Sequence, residues 1–271
     1  MAIRRRSLLG GAGAFAGSVV SGRVWADDEL TITRQDWDNI VLGGINTPRF
    51  NCTIAPRAGE GPFYLPSSLE RRDITEGHDG EALRLRIRLG GMQGTTECIP
   101  MRGAVVDIWH ADAHGLYSNI GEGIQHRATP GETFMRGHQV TDDEGNVEFV
   151  TTVPGWEAIA SASPEGFAAR TIHIHVKIFH EWQIFDAQLY FPDELLDALY
   201  ADVEPYRSYT VVTIPGSDIQ IARRRNPDDG QFVGTQSVPM TIDRDGGQLV
   251  ATAVIGTVAE SNRGIPSYHG V

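Results

Sequence analysis

The sequence predicts an all-β fold, a β-sandwich with irregular arms and little helix. Short runs of β-branched and aromatic residues recur at close spacing, and most are bounded by Gly, Pro, Asn or Asp. A single short segment, from Pro192 to Tyr200, has the pattern of a helix, with proline at its start. Neither heptads nor repeats of solenoid length are present, so the elements favour a sandwich of packed sheets.

Two of the predicted strands have clear side-chain patterns. The run at 83–89, LRLRIRL, alternates strictly between apolar and basic residues, which is typical of a strand with one exposed face. The run at 103–110, GAVVDIWH, is apolar through its middle and predicts a strand buried on both faces. It leads into a turn at 111–118 that carries polar and aromatic side chains.

Turn residues predict two hairpins and a loop. The sequence DDEGN at 142–146 separates two apolar runs, and DRDGG at 243–247 separates two more, so each is expected to join paired strands. Residues 158–169 are rich in Ala and Ser and predict a loop. A further short strand is expected at 188–191.

The stretch at 170–178, RTIHIHVKI, has the strongest functional signal. Because residues two apart in a strand point to the same face, His173 and His175 should project together while the apolar residues between them enter the core. Two imidazoles side by side on a strand are half of a metal site. The pattern alone is equally compatible with two half-exposed histidines on a polar face.

The N terminus has the pattern of a twin-arginine signal peptide. Arg5 and Arg6 precede an apolar run that is too short and too rich in glycine to span a bilayer well, and small residues lead to Ala26. We expect twin-arginine (Tat) export to the periplasm or the medium, with cleavage after Ala26. The mature chain would then have no membrane span. The alternative is an uncleaved N-terminal anchor.

These patterns divide the 271 residues into four parts. They are a signal peptide at 1–26, an N-terminal arm at 27–50, the sandwich at 51–210, and C-terminal strands or an extension at 211–271. Residues 1–26 carry four arginines and no acid, so cleavage would change the formal charge from −12 to −16. Such a surface repels nucleic acid, which we exclude as a partner, and anionic membranes.

The chain has two cysteines, Cys52 and Cys98. One pair in an exported protein predicts a single disulfide, and the alternative is two free buried thiols. Neither cysteine belongs to a C-x-x-C motif, so a zinc or redox motif is not indicated.

Several motifs, in their order and spacing, resemble one family. They are EGPFY at 60–64, RDI at 72–74, GAVVDIWHAD at 103–112, GLYS at 115–118, RTIHIHVK at 170–177 and QLYFP at 188–192. Together they resemble the intradiol ring-cleavage dioxygenases, the family of protocatechuate 3,4-dioxygenase and catechol 1,2-dioxygenase. The resemblance covers about residues 50–210 and is greatest to the exported, twin-arginine branch.

The resemblance implies a β-sandwich that holds a non-haem Fe(III) between two tyrosinates and two histidines. His173 and His175 match the histidine pair, and Tyr117 matches the first tyrosine. Arg170 matches an arginine that lies over the bound substrate, and Gln188 matches a glutamine beside the ligands. Phenolate is a hard anionic donor and stabilises Fe(III) over Fe(II).

The reaction that the resemblance implies is cleavage of an aromatic diol by O2 between the two hydroxyl-bearing carbons. Arg170 would stabilise negative charge that develops on the substrate. Pro62 and Tyr64, in an aromatic loop with a fixed backbone, are expected to wall the substrate pocket, although such a loop could instead only cover the core. A homo-oligomer is compatible with the resemblance.

The sequence departs from the family at the second tyrosine. No tyrosine lies between Tyr117 and His173, and Glu157 follows the Pro-Gly-Trp turn where that ligand is expected. Glu157 could ligate the metal, and with His173 and His175 it would resemble a facial triad that favours Fe(II). Alternatively, Glu157 faces solvent and the site is incomplete. The open alternatives are therefore a metalloenzyme of altered chemistry and a non-catalytic, exported binding protein.

Overall fold

The computed structural model describes residues 49–66, 69–93, 97–121, 124–160, 167–181, 183–213, 218, 220–235 and 240–257. The signal peptide and nearly all of the N-terminal arm predicted above lie outside these residues. Two sheets share one apolar core and form the predicted β-sandwich. The larger sheet contains β1 (Phe50–Asn51), β2 (Ala82–Gln93), β3 (Glu97–Pro100), β6 (Asn146–Thr152), β13 (Thr241–Asp245) and β14 (Gln248–Thr257).

The smaller sheet carries the histidine pair. It contains β4 (Val105–Trp109), β5 (Arg136–Val140), β9 (His173–His180) and β10 (Gln183–Tyr190), in the order β10-β9-β4-β5 and antiparallel throughout. Two small ribbons lie outside the sheets, β7 (Ala158–Ala160) with β8 (Phe167–Ala169) and β11 (Val211–Thr213) with β12 (Gln220–Ala222). The described helices are α1 (Asp193–Asp202), α2 (Gly230–Thr235), and 3-10 turns at Tyr206–Ser208 and Asn226–Asp228.

Alternation in the sequence explains the two faces of β2. Its leucine and isoleucine side chains at 83, 85, 87 and 89 are buried in the core between the sheets. The arginines between them point outward, where Arg86 Nε lies 2.8 Å from a carboxylate oxygen of Glu148 on β6, its partner in register. The prediction of a half-exposed strand is confirmed, as is the strand buried on both faces at β4.

The predicted hairpin around residues 142–146 is wrong. The turn itself forms, and Asp142 Oδ1 accepts hydrogen bonds from the backbone N–H groups of Glu144 and Asn146 at 3.0 and 2.7 Å. However, β5 before the turn pairs with β4, whereas β6 after it pairs with β2 in the other sheet. Turn chemistry reverses the chain but does not specify which strands then pair, so this segment is a crossover between sheets.

The loop predicted at 158–169 is wrong at both ends, because Ala158 pairs with Ala169 in the β7–β8 ribbon. The second predicted hairpin, β13–β14, is confirmed. Strand β14 also runs parallel to β2, so residues after 210 contribute to the larger sheet.

The disulfide and the helix appear where the sequence predicts them. Cys52 and Cys98 are bonded, with their Cα atoms 5.8 Å apart. Helix α1 begins after Pro192 and buries Leu196 and Leu199 in the core. Across the described ranges, no helix is long and apolar enough to cross a membrane.

Candidate active site

Strand β9 begins at His173 and places this side chain next to His175 on the same face. Both side chains are buried, and their Nε2 atoms are 3.0 Å apart. The apolar side chains between and beside them enter the core, as predicted from the alternation. Trp109 of β4, the register partner of His175, stacks on its ring with centroids 4.7 Å apart.

The tautomer of His173 follows from one hydrogen bond. Its Nδ1 lies 2.7 Å from the Thr171 carbonyl oxygen, so Nδ1 carries the proton and donates it, and Nε2 presents a lone pair toward His175. Burial and the Arg170 guanidinium lower the pKa of His173 to about 3. Burial, then His173 and Arg170, hold the pKa of His175 well below its ordinary value. Both rings are therefore neutral, which is the form that binds metals.

Tyr117 and Glu157 form a second buried pair. The tyrosine stacks on Phe63 with ring centroids 4.3 Å apart, and its ring centroid is 6.2 Å from that of His175. Its hydroxyl donates a hydrogen bond to Glu157, whose side chain is only 5 % exposed. Glu157 Oε2 is buried and has no hydrogen-bond partner. The alternative of a solvent-facing Glu157 is therefore wrong.

Burial dominates the electrostatics of this pair. It raises the pKa of Tyr117 well above its ordinary value, and the Glu157 carboxylate raises it further. Burial also raises the pKa of Glu157, although the hydrogen bond from Tyr117 and the charge of Arg170 oppose that rise. A phenol in such a site ionises only if a cation lies close to it.

Two glycines allow the segments that carry Tyr117 and Glu157 to approach each other. A Cβ on Gly115 would lie 2.0 Å from the Trp156 carbonyl oxygen, and a Cβ on Gly155 would lie 2.3 Å from the Ala113 carbonyl oxygen. Gly115 also has a positive φ of 75°, which favours glycine. The indole Nε1 of Trp156 donates to the Tyr209 carbonyl at 2.9 Å and so anchors the second segment.

Several buried polar atoms at this site are suited to bind a metal ion. The Nε2 atoms of His173 and His175 lie 3.0 Å apart, and Glu157 Oε2 has no hydrogen-bond partner, so a cation could bind buried polar atoms here. In the part of the chain that the structure describes, no three His, Cys, Asp or Glu side chains form a group that could hold a metal. The Glu157 side chain instead accepts a hydrogen bond from Tyr117, the other predicted ligand.

Arg170 lies three residues before the start of β9 and is mostly buried. Its Nε is 2.7 Å from Asp229 Oδ2, and its Nη2 donates to Gln188 Oε1 at 3.1 Å and to the Tyr190 hydroxyl at 3.3 Å. Burial opposes its charge, but the Asp229 carboxylate outweighs burial and raises the pKa of Arg170. Gln188 is the register partner of His175, so the structure brings both predicted residues to the histidine pair.

The loop at 60–64 covers one side of this pair. A Cβ on Gly61 would lie 3.2 Å from Cε1 of His175, so the loop backbone passes close to the ring. Tyr64 is partly buried beside Trp109, with ring centroids 4.8 Å apart, whereas Pro62 is exposed. The structure thus brings Tyr64 toward the site and leaves Pro62 at the surface.

The sequence did not indicate two residues that the structure adds to the site. Asp229 binds Arg170, and Asn226 binds Thr171, which follows Arg170 in the sequence. The run NPDDG at 226–230 marks a turn by its composition. That signal is local, and it does not show that the turn lies against β9.

Comparison with known proteins agrees with this fold. Residues 59–206, more than half of the chain, match a family model described as Dioxygenase. The protocatechuate 3,4-dioxygenase beta chain of Burkholderia cepacia is 33% identical over 189 residues, which cover 66% of this chain and 77% of that one. The chain belongs to the intradiol dioxygenase family. This family member also resembles the chlorocatechol 1,2-dioxygenase of Pseudomonas putida, at 30% identity over 46% of its own length and 48% of the relative's.

A solved structure shares the fold. The intradiol ring-cleavage dioxygenase from Tetranychus urticae aligns with a TM-score of 0.60 and 25% identity, over 78% of this chain and 98% of that one. This intradiol dioxygenase family member spans about half the length of the chlorocatechol dioxygenases that it matches, 48% and 56% of two of them.

Proposed function

We propose that the protein is a non-haem iron dioxygenase that cleaves catechol-type rings between the two hydroxyl-bearing carbons with O2. The observation that carries the proposal is the buried histidine pair, with Nε2 atoms 3.0 Å apart, beside the Tyr117–Glu157 pair. Membership of the family supports this chemistry, and the identity of the aromatic diol is a proposal at the level of that class.

His173, His175 and Tyr117 would hold the iron, with Glu157 in the position of the family's second tyrosine. When bound, Fe(III) would withdraw electron density from a chelated diol and so make the ring reactive toward O2. The neutral imidazoles offer lone pairs, and the cation would make ionisation of the Tyr117 phenol favourable.

Glu157 is suited to accept a proton from the diol. A diol hydroxyl that ionises on binding transfers its proton to Glu157 Oε2, the buried oxygen without a partner, and the carboxylate becomes neutral. Burial already favours that neutral form, because it raises the pKa of Glu157. Arg170, which is held beside the histidines, would stabilise negative charge on the ring.

A second candidate function is a metalloenzyme of altered chemistry, and the buried carboxylate at position 157 favours it. Carboxylate stabilises Fe(III) less than phenolate and gives weaker charge-transfer absorption, so Fe(II) would be held more readily. Purification with iron, followed by metal analysis and a visible spectrum, separates the candidates. Colour with catechol turnover supports the dioxygenase, whereas a colourless Fe(II) protein supports altered chemistry.

Glu157→Tyr tests the role of the carboxylate directly. The variant should absorb more strongly per iron and should cleave catechol differently from the wild type. Glu144→Tyr, the same substitution at an exposed glutamate in the turn at 142–146, is the matched control. If Glu157→Tyr leaves iron content, spectrum and turnover unaltered, Glu157 does not act at the metal. If the wild-type protein binds no iron and cleaves no diol, the result supports a non-catalytic binding protein.

We also propose export by the twin-arginine pathway, which the motif at Arg5 and Arg6 supports. Replacing both residues with Lys should trap the precursor in the cytoplasm, and unchanged export would refute this proposal. Assembly into a homo-oligomer is proposed from the family resemblance, and light scattering on the purified protein tests it.

A further inference from the structure

A segment beyond the family match contacts the residues that precede the histidine pair. The match ends at residue 206, whereas Asp229 follows it and is fully buried. Asp229 Oδ2 accepts hydrogen bonds from Arg170 Nε at 2.7 Å and from the Thr171 backbone N–H at 2.9 Å. Its Oδ1 accepts from the backbone N–H groups of Gln231 and Phe232 at 2.9 and 3.1 Å, so both oxygens are used.

Asn226 fixes the other end of the same segment. Its side-chain oxygen accepts a hydrogen bond from the Thr171 hydroxyl at 2.7 Å, and its Nδ2 donates to the Phe191 carbonyl at 2.8 Å. Its backbone N–H donates to Asp193 Oδ2 at 3.1 Å, at the start of α1. Thr171 is therefore held through both its backbone N–H and its hydroxyl.

Thr171 transmits this constraint to the histidines. Its carbonyl oxygen is the acceptor for His173 Nδ1, the bond that directs the lone pair of Nε2 toward His175. Asp229 thus touches Arg170 directly and reaches His173 through one residue. Partners of this kind, which orient metal-binding histidines, commonly change metal affinity or activity about 10–100-fold when they are removed.

We propose that Asp229 is a positioning residue for this reaction, and that Asp229 and Asn226 complete the active site from outside the matched module. The inference rests on the proposed function, because it assigns Asp229 to the orientation of Arg170 and of His173. It holds the guanidinium in place and keeps the His173 ring in its metal-binding tautomer.

Asp229 also balances the charge of Arg170. Among the described residues, Arg136 also has a buried guanidinium near the site, and it already donates to Ser118 Oγ at 2.8 Å and to the Phe63 carbonyl at 2.7 Å. A ring substituent that carries a carboxylate would therefore have to compete with Asp229 for Arg170. Removing the charge of Asp229 should favour such a ring, and a purely structural role would not produce this change in selectivity.

The test compares Asp229→Asn with Asp228→Asn, a change at the exposed neighbouring aspartate. In the iron-loaded enzyme, Asp229→Asn should lower kcat for catechol about tenfold with less than about a threefold change in KM. It should raise the use of 3,4-dihydroxybenzoate relative to catechol about tenfold. Iron-free Asp229→Asn should also bind Co²⁺ about tenfold more weakly. Asp228→Asn should match the wild type throughout.

The outcomes separate this inference from the proposed function. If the wild type cleaves diols and Asp229→Asn behaves like Asp228→Asn, the positioning role is overturned while the function stands. If the wild type cleaves no diol, the function fails, and Co²⁺ binding by Asp229→Asn equal to that of the wild type overturns the positioning role separately. Should Asp229→Asn not fold, Asp229→Glu keeps the charge but displaces it. That variant should lower kcat without changing selectivity, and equality with the wild type would overturn the inference.

Discussion

Substituting Gly155 with Ala should separate the two segments that carry Tyr117 and Glu157. The added Cβ would start 2.3 Å from the Ala113 carbonyl oxygen, a backbone atom that no rotamer change can move. Real Cβ contacts do not fall below 3.0 Å, so the segments must open by at least about 0.7 Å. The Gly155 N–H donates to the Asp112 carbonyl at 2.8 Å, and the same opening would stretch that bond to about 3.5 Å.

The expected cost follows from these two effects. Overpacking of this kind typically costs about 1–3 kcal/mol, and a lost hydrogen bond costs about 0.5–1.5 kcal/mol. We therefore expect Gly155→Ala to lower the free energy of unfolding by about 2–4 kcal/mol. Gly115→Ala should cost more, because its Cβ would lie 2.0 Å from the Trp156 carbonyl oxygen and its φ is positive. That φ adds about 1–2 kcal/mol.

Urea denaturation of the purified variants measures this cost, and iron content reports the site. Gly91→Ala, in β2, is the matched control, because nothing lies within 4 Å of its added Cβ. It should be as stable as the wild type or more stable by about 0.5 kcal/mol. The order of stability should be Gly91→Ala, then Gly155→Ala, then Gly115→Ala. Equal urea midpoints for Gly155→Ala and Gly91→Ala would refute the steric reasoning.

Three further outcomes are expected. Replacing Cys52 and Cys98 with Ser removes a cross-link over 46 residues and should lower the free energy of unfolding by about 2–4 kcal/mol. Unchanged urea midpoints would contradict this expectation. Burial lowers the pKa of His110 from 6.5 to about 4, so the unfolded state binds more protons below pH 6.5. Stability should be largest above pH 6.5 and fall by up to about 3 kcal/mol toward pH 4. His110→Gln should flatten that fall, and parallel stability profiles would contradict this assignment. Lys177→Met removes the cation paired with Glu60 and should speed proteolytic cleavage of the loop at 59–66; an unchanged rate would show that this ion pair does not hold the loop.

Local periodicity was sufficient to predict the histidine pair and several strands of the sandwich, although not the β7–β8 ribbon. Strict alternation at 83–89 determines which side chains of β2 are buried, because a pleated strand has only two faces. The same rule places His173 and His175 together without knowledge of their surroundings. Position 157 could also be singled out, because it departs from the family pattern.

Long-range partners could not be predicted in this way. The turn at 142–146 has hairpin composition, yet its flanking strands join different sheets, β5 with β4 and β6 with β2. Asp229 appears in the sequence as one residue of a turn-forming cluster. Its importance depends on Arg170, and only the folded chain brings these two residues together.

The parallel pairing of β14 with β2 has a consequence for how the protein folds. Leu249 pairs with Leu83, and nearly the whole sandwich lies between them in sequence, so the larger sheet stays open until synthesis has passed β14. A chain stopped at residue 240 would expose an unpaired edge of β2 and should aggregate; a soluble, iron-binding truncation would contradict this expectation. The larger sheet should therefore be completed only after β14 has been synthesised.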